Sequence, residues 1–258
     1  MPASPAAPPA LAYASDPLRA GLGLAGWPLA TRVLRGAPRG DGAPVLVLPG
    51  LLAGDLSTRP LRAALRGLGH HVHGWRLGRN LGPTPRVEAR LRLLAEELLE
   101  RHGRPFAVVG WSLGGIYARA MAAERPDAVR QVITLGTPFA LTEPSQTRAI
   151  RAYERYSHLH VPGYALPVPD HVRGPLPVPT TSIWSRTDGI VSWTASLETP
   201  SPTAENIAVR ASHLGLGHSP AVLWAVADRL AQPEGEWRPF RPPPRLRVLY
   251  PAVRGGAR

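Results

Sequence analysis

The chain contains no cysteine. That absence excludes disulfides, thiolate nucleophiles and cysteine-ligated metals, and it leaves the redox compartment undetermined. Lysine is also missing: all 30 basic residues are arginines, against 18 acidic ones, giving a formal net charge of +12. Such a charge invites nucleic acid or anionic surfaces. The arginines are scattered rather than gathered into one block, however, and they accompany abundant Ala, Gly and Pro. Compositional drift with solvated guanidinium groups accounts for them. No nucleic-acid partner is expected, and weak attraction to a membrane surface is the remaining reading. No apolar run reaches the roughly 18 residues of a transmembrane helix. The opening stretch "MPASPAAPPALAYASDPLRAG" lacks a cationic start followed by an apolar core, so no secretory signal is expected. The expected location is cytoplasmic, with peripheral membrane association as a variant.

The 258 residues suit one α/β domain with an insertion. Short apolar runs at 45–50, 71–75, 106–110, 129–138, 180–185 and 206–211 read as strands. Stretches 59–69, 86–103, 113–126 and 221–231 carry helical spacing between them. Continuous apolar strands alternating with helices predict a mostly parallel sheet covered on both faces. Residues 1–43 form an extension: 1–10 read as disordered, and 16–35 as a helix packed on the domain or lying on a membrane surface. The main domain spans 44–232. Residues 140–178, rich in proline and without a clear period, read as a small irregular cap. The tail 233–258 reads as an extended Pro/Arg-rich segment over the domain, loose at its end.

Residues 107–115, "AVVGWSLGG", place Ser112 between a strand and a helix. A nucleophile in that position projects from a tight turn, clear of the sheet. Gly110 and Gly114 have no Cβ to crowd the adjoining strand and helix. The N-terminus of the following helix favours a developing anion. A serine hydroxyl needs a general base, usually histidine, oriented by a carboxylate.

With "VLVLPGLLAGD" (45–55), "ITLGTP" (133–138), "RTDGIV" (186–191) and "SHLGLGHSP" (212–220), this turn makes the chain resemble the α/β-hydrolase superfamily, in particular its lipase/esterase branch. The resemblance implies the α/β-hydrolase fold and a chain order of nucleophile, acid, base. It points to Asp188 as the acid, ahead of Asp170 and Glu143, and to His213 as the base, ahead of His218. It also implies an oxyanion hole from the backbone N–H groups of Leu113 and Leu51, the latter in Pro49-Gly50-Leu51 where many relatives carry His-Gly. Leu52, Trp111, Ile190, Val191 and Leu214 are expected to line an apolar substrate pocket.

The expected activity is hydrolysis of carboxylic esters, apolar or lipid-like, through an acyl-enzyme, with no metal and no cofactor. Acyl transfer to an alcohol or thiol by the same residues, and a non-catalytic binding protein on the same fold, are the alternatives.

Overall fold

The computed structural model describes residues 7–161 and 168–251. Six strands form one sheet: β1 (Pro44–Leu48), β2 (His71–Gly74), β3 (Phe106–Trp111), β4 (Val129–Leu135), β5 (Thr180–Ser185) and β6 (Ala204–Val209). They lie in the order β2-β1-β3-β4-β5-β6, and every pairing is parallel. The physical cause is the one visible in the sequence. Residues of β1, β3 and β5 are buried throughout, so neither face of those strands meets water.

Each face is covered by helices. One core joins Val45, Val47, Val109, Ile133 and Ile183 to α3 (Arg59–Gly67) and α8 (Pro220–Leu230). The other joins Leu46, Leu48, Val108 and Val132 to α4 (Pro85–His102) and α5 (Leu113–Glu124). Each fully buried Val or Leu contributes about 1.5–3 kcal/mol. The α4 ends follow their sequence signals: the Thr84 side chain accepts the Val87 N–H at 3.2 Å, Pro85 opens the helix, and Gly103 closes it in the left-handed region.

The N-terminal segment departs from expectation. Helix α1 (Ala10–Ala25) begins six residues before the stretch read as helical and is followed by α2 (Trp27–Leu34). Of the residues read as disordered, 1–6 lie outside the described residues. Pro8 is fixed, its carbonyl accepting from Nε and Nη2 of Arg148 at 2.9 and 2.7 Å. Helix α1 packs on the domain through Asp16 and Ala20 and turns Leu11, Leu18 and Leu22 outward. The region read as a cap holds α6 (Ile150–Glu154) and α7 (Asp170–Arg173), with residues 162–167 outside the described set. Phe240, Leu249 and Tyr250 of the tail pack against the α8 core, while residues 252–258 lie outside the description. No described helix is long and apolar enough to cross a membrane.

Candidate active site

Parallel strands deliver their carboxyl ends to one edge, where open α/β sheets carry ligands. Pairing of Leu48 with Gly110, Gly110 with Thr134 and Leu135 with Ile183 aligns the ends of β1, β3, β4 and β5. The loops that leave those ends carry Leu51, Ser112, Gly136 and Asp188.

Ser112 has φ +52° and ψ −122°, a conformation costly for any residue with a Cβ. Its N–H donates to the Leu135 carbonyl at 2.9 Å, and its own carbonyl accepts from Gly115 at 2.9 Å. The turn is over-determined by glycine. A Cβ on Gly110 would collide with Gly115, and one on Gly114 would strike the backbone of Leu48 and lie 2.7 Å from the Pro49 carbonyl. Backbone there has no room to give. Gly114→Ala should therefore cost about 1–3 kcal/mol, read by urea unfolding, and should displace the β1 loop enough to slow reaction of Ser112 with a phosphonate.

Asp188 and His213 meet directly. The Nδ1 of His213 is 2.7 Å from Oδ2 of Asp188, and both side chains are buried. The other oxygen, Oδ1, accepts the N–H groups of Ile190 and Val191, each at 2.8 Å. Burial opposes a charged His213, but the Asp188 carboxylate, assisted by Asp16, outweighs it and holds the imidazole above its ordinary value. The Trp111 indole N–H donates to the His213 carbonyl at 3.2 Å, which fixes the loop carrying the imidazole. Gly136, at φ +54°, allows the pair to sit against β4: a Cβ there would lie 2.9 Å from Oδ2 of Asp188 and 3.2 Å from Nδ1 of His213.

Ser112 and His213 line one cavity of about 230 Å³. Leu51, Leu52, Trp111, Ile190 and Leu214 share its wall. Tyr13 from α1 and Arg148, Ala149 and Ala152 from the cap region also line it, and nothing in their local pattern marked them. No direct hydrogen bond joins the Ser112 hydroxyl to the imidazole among the described residues; such bonds often tighten only with substrate present. The N–H groups of Leu51 and Leu113 donate to no other group among the described residues; Leu113 follows Ser112 directly in sequence, and Leu51 shares the cavity wall with it.

Val191 is a correction. Its side chain is 1% exposed, packs with Leu141 and Ala195, and is not among the residues that line the cavity. The rival residues lie elsewhere. His218 bonds the Ala20 carbonyl at 2.9 Å and so anchors α1. Asp170 pairs with Arg173, and Glu143 caps the turn at 144–146.

Two supporting residues escaped the sequence reading. Buried Asn80 brackets the β1 loop: its side-chain amide donates to the Pro49 carbonyl at 3.0 Å, and its backbone carbonyl accepts the Leu52 N–H at 2.7 Å. Its Oδ1 accepts from the Gly82 N–H and the Tyr117 hydroxyl, each at 3.1 Å. This supplies side-chain support where the chain has Pro49 in place of histidine. It also holds Leu52 at φ +61°. The second is Asp16, whose buried carboxylate accepts the His213, Leu214 and Gly189 N–H groups. Its only sequence signal is that it is the sole acidic residue in the first 40.

Residues 91–151 match the family model of the α/β-hydrolase fold. The chain resembles the crystal structure of lipase B from Aspergillus fumigatus with a TM-score of 0.56 at 18% identity, over 80% of this chain and 58% of that one. It therefore spans less than two thirds of that lipase. It also resembles an α/β-hydrolase enzyme from the sediment metagenome of the Mar Chica lagoon, Morocco (TM-score 0.50, 20% identity, 70% of this chain and 87% of that). An α/β superfamily hydrolase from Oenococcus oeni gives 0.50 at 16% identity, over 69% and 88%. No curated protein matches the chain in sequence. The parallel sheet, the serine turn at the end of β3, the matched segment and these structural likenesses agree that the chain is built on the α/β-hydrolase fold.

Proposed function

We propose that the protein is a serine hydrolase of apolar carboxylic esters. The observation that carries this reading is a buried Asp188–His213 pair facing the same cavity as a strained Ser112. Because Nδ1 is engaged by the carboxylate, Nε2 is the nitrogen left to take a proton. Ser112 Oγ attacks the ester carbonyl while His213 Nε2 accepts the hydroxyl proton. The imidazolium is stabilised by Asp188, and the Leu51 and Leu113 N–H groups take the negative charge that develops on the carbonyl oxygen, each worth about 3 kcal/mol. Collapse of the tetrahedral intermediate breaks the ester C–O bond, and His213 returns the proton to the leaving alcohol. Water then repeats the sequence on the acyl-enzyme and frees the acid.

The apolar wall of Leu51, Leu52, Trp111, Ile190 and Leu214 favours an apolar acyl group. A volume of about 230 Å³ lies below the roughly 300–1,000 Å³ of pockets for drug-sized ligands. Short to medium acyl chains fit that space best. The relatedness to proteins named lipase and hydrolase supports the same class. A fluorophosphonate probe should modify Ser112, identified by peptide mapping, and p-nitrophenyl esters should turn over fastest at short to medium acyl length. Modification at another residue, with no ester hydrolysed at any length, sinks the proposal.

A further inference from the structure

Burying a carboxylate is expensive unless it is hydrogen-bonded or paired. Asp16 is 0% exposed, yet it belongs to the N-terminal helix and is 197 residues from the imidazole whose loop it meets. Its Oδ2 accepts the backbone N–H of His213 at 2.8 Å and that of Gly189 at 3.0 Å, while Oδ1 accepts that of Leu214 at 2.9 Å. One side chain thus grips the loop of the proposed base and the loop of the proposed acid together. Gly189 is shaped to receive it: a Cβ there would collide with the Ala12 carbonyl and sit 2.8 Å from Oδ2 of Asp16. The helix has other anchors. Arg19 donates to the Thr187 carbonyl at 2.7 Å, and His218 bonds the Ala20 carbonyl. A charged group at 16 is therefore not required merely to dock α1.

We infer that Asp16 is a positioning residue for the His213–Asp188 pair, clamping the two loops in register and setting a second negative charge beside the imidazole. The inference rests on the hydrolase reading for its catalytic meaning. Burial works against a charged His213, Asp188 works for it most strongly, and Asp16 adds to Asp188. The other charged or titratable groups around this point are Arg19, 3.3 Å from Asp16, Tyr13 and Arg148 in the cavity wall, and Arg210 and His218 in the cleft beneath α1. Arg19 opposes the field of Asp16, so the two residues should act on His213 with opposite sign.

The test is an NMR titration of the His213 imidazole in wild type, Asp16→Asn and Arg19→Gln, with a kcat/KM pH profile on a p-nitrophenyl ester. Wild type should lose activity as pH falls through a His213 value above the ordinary 6.5. Asp16→Asn should lower the His213 titration and carry the acid limb down with it. Its kcat should fall about 100-fold through misplacement of the imidazole, with KM little changed, because Asp16 does not line the cavity. Arg19→Gln should raise the titration. Shifts in the same direction in both variants, or none in either, indicate general loosening and overturn the inference. If Asp16→Asn does not fold, Arg19→Gln decides alone: an upward shift supports the clamp, and an unmoved or lowered one overturns it. The titration needs no ester, so a wild type that hydrolyses nothing refutes the hydrolase reading and leaves this measurement intact.

Discussion

Ser112→Ala should lower kcat by about 10⁶-fold and abolish labelling by a fluorophosphonate, while leaving the unfolding free energy within about 0.5 kcal/mol of wild type. The two halves of that expectation have separate causes. In the proposed mechanism the hydroxyl is the only atom of the elbow that forms a bond to substrate, so its loss should abolish activity. Stability is retained because alanine keeps the Cβ, and with it the same unfavourable backbone conformation at φ +52°. Ser112→Gly separates the two further. Removing the Cβ relieves strain of about 1–3 kcal/mol, partly offset by about 0.5–1 kcal/mol of extra chain entropy in the unfolded state, so this variant should be inactive and more stable by about 1 kcal/mol. Kinetics with a p-nitrophenyl ester and chemical denaturation check both. An alanine variant with near-normal turnover would falsify the role of the hydroxyl. A glycine variant less stable than alanine would show that the turn stores no strain.

The elements of the sheet were legible because their information is local. Apolar runs such as 45–48 and 106–109 need only their own residues to announce burial on two faces, and Thr84-Pro85 and Gly103 mark the ends of α4 without reference to anything distant. The elbow was legible for a related reason: strand, serine and helix are contiguous, and Gly110 answers to Gly115 within the same turn, although Gly114 answers to the distant backbone of Leu48 and Pro49. What stayed hidden depends on side chains that meet across the chain. Asp16 finds its partners 173 to 198 residues away. Asn80 reads locally as a loop residue, and only the approach of Pro49 and Tyr117 makes it a bracket. Val191 shows the limit from the other direction. Its sequence neighbour Ile190 does line the cavity, whereas Val191 is taken up by an apolar cluster with Ala195 and the sequence-distant Leu141. Gly189 looks locally like any loop glycine; its reason is the close passage of α1.

The largest effect on stability should come from Arg119, on the helix that follows Ser112. Its guanidinium is 0% exposed. It pairs with buried Glu198, donates to the carbonyls of Val172 at 2.6 Å, Arg173 at 3.2 Å and Gly174 at 2.6 Å, and lies over the Phe139 ring at 3.9 Å. Helix α5 is thereby tied to α7 and to the segment after β5. Removing one partner of such a pair strands the other charge in a medium that cannot solvate it, at a cost of about 3–5 kcal/mol. Arg119→Met should lose that amount in urea unfolding. The loss should depend on pH. Burial already pushes Glu198 up and Arg119 counteracts it, so without Arg119 the folded state holds the proton on Glu198 to higher pH than the unfolded chain does. The variant is then relatively favoured at acid pH and weakens as pH rises and Glu198 is forced to ionise. Arg119→Met combined with Glu198→Met should recover most of the loss, because an apolar pair of similar volume leaves no buried charge and only the three carbonyls without their donor. Losses that simply add in the double variant, or a single variant whose stability is flat with pH, would show that the ion pair is not what holds α5 to α7.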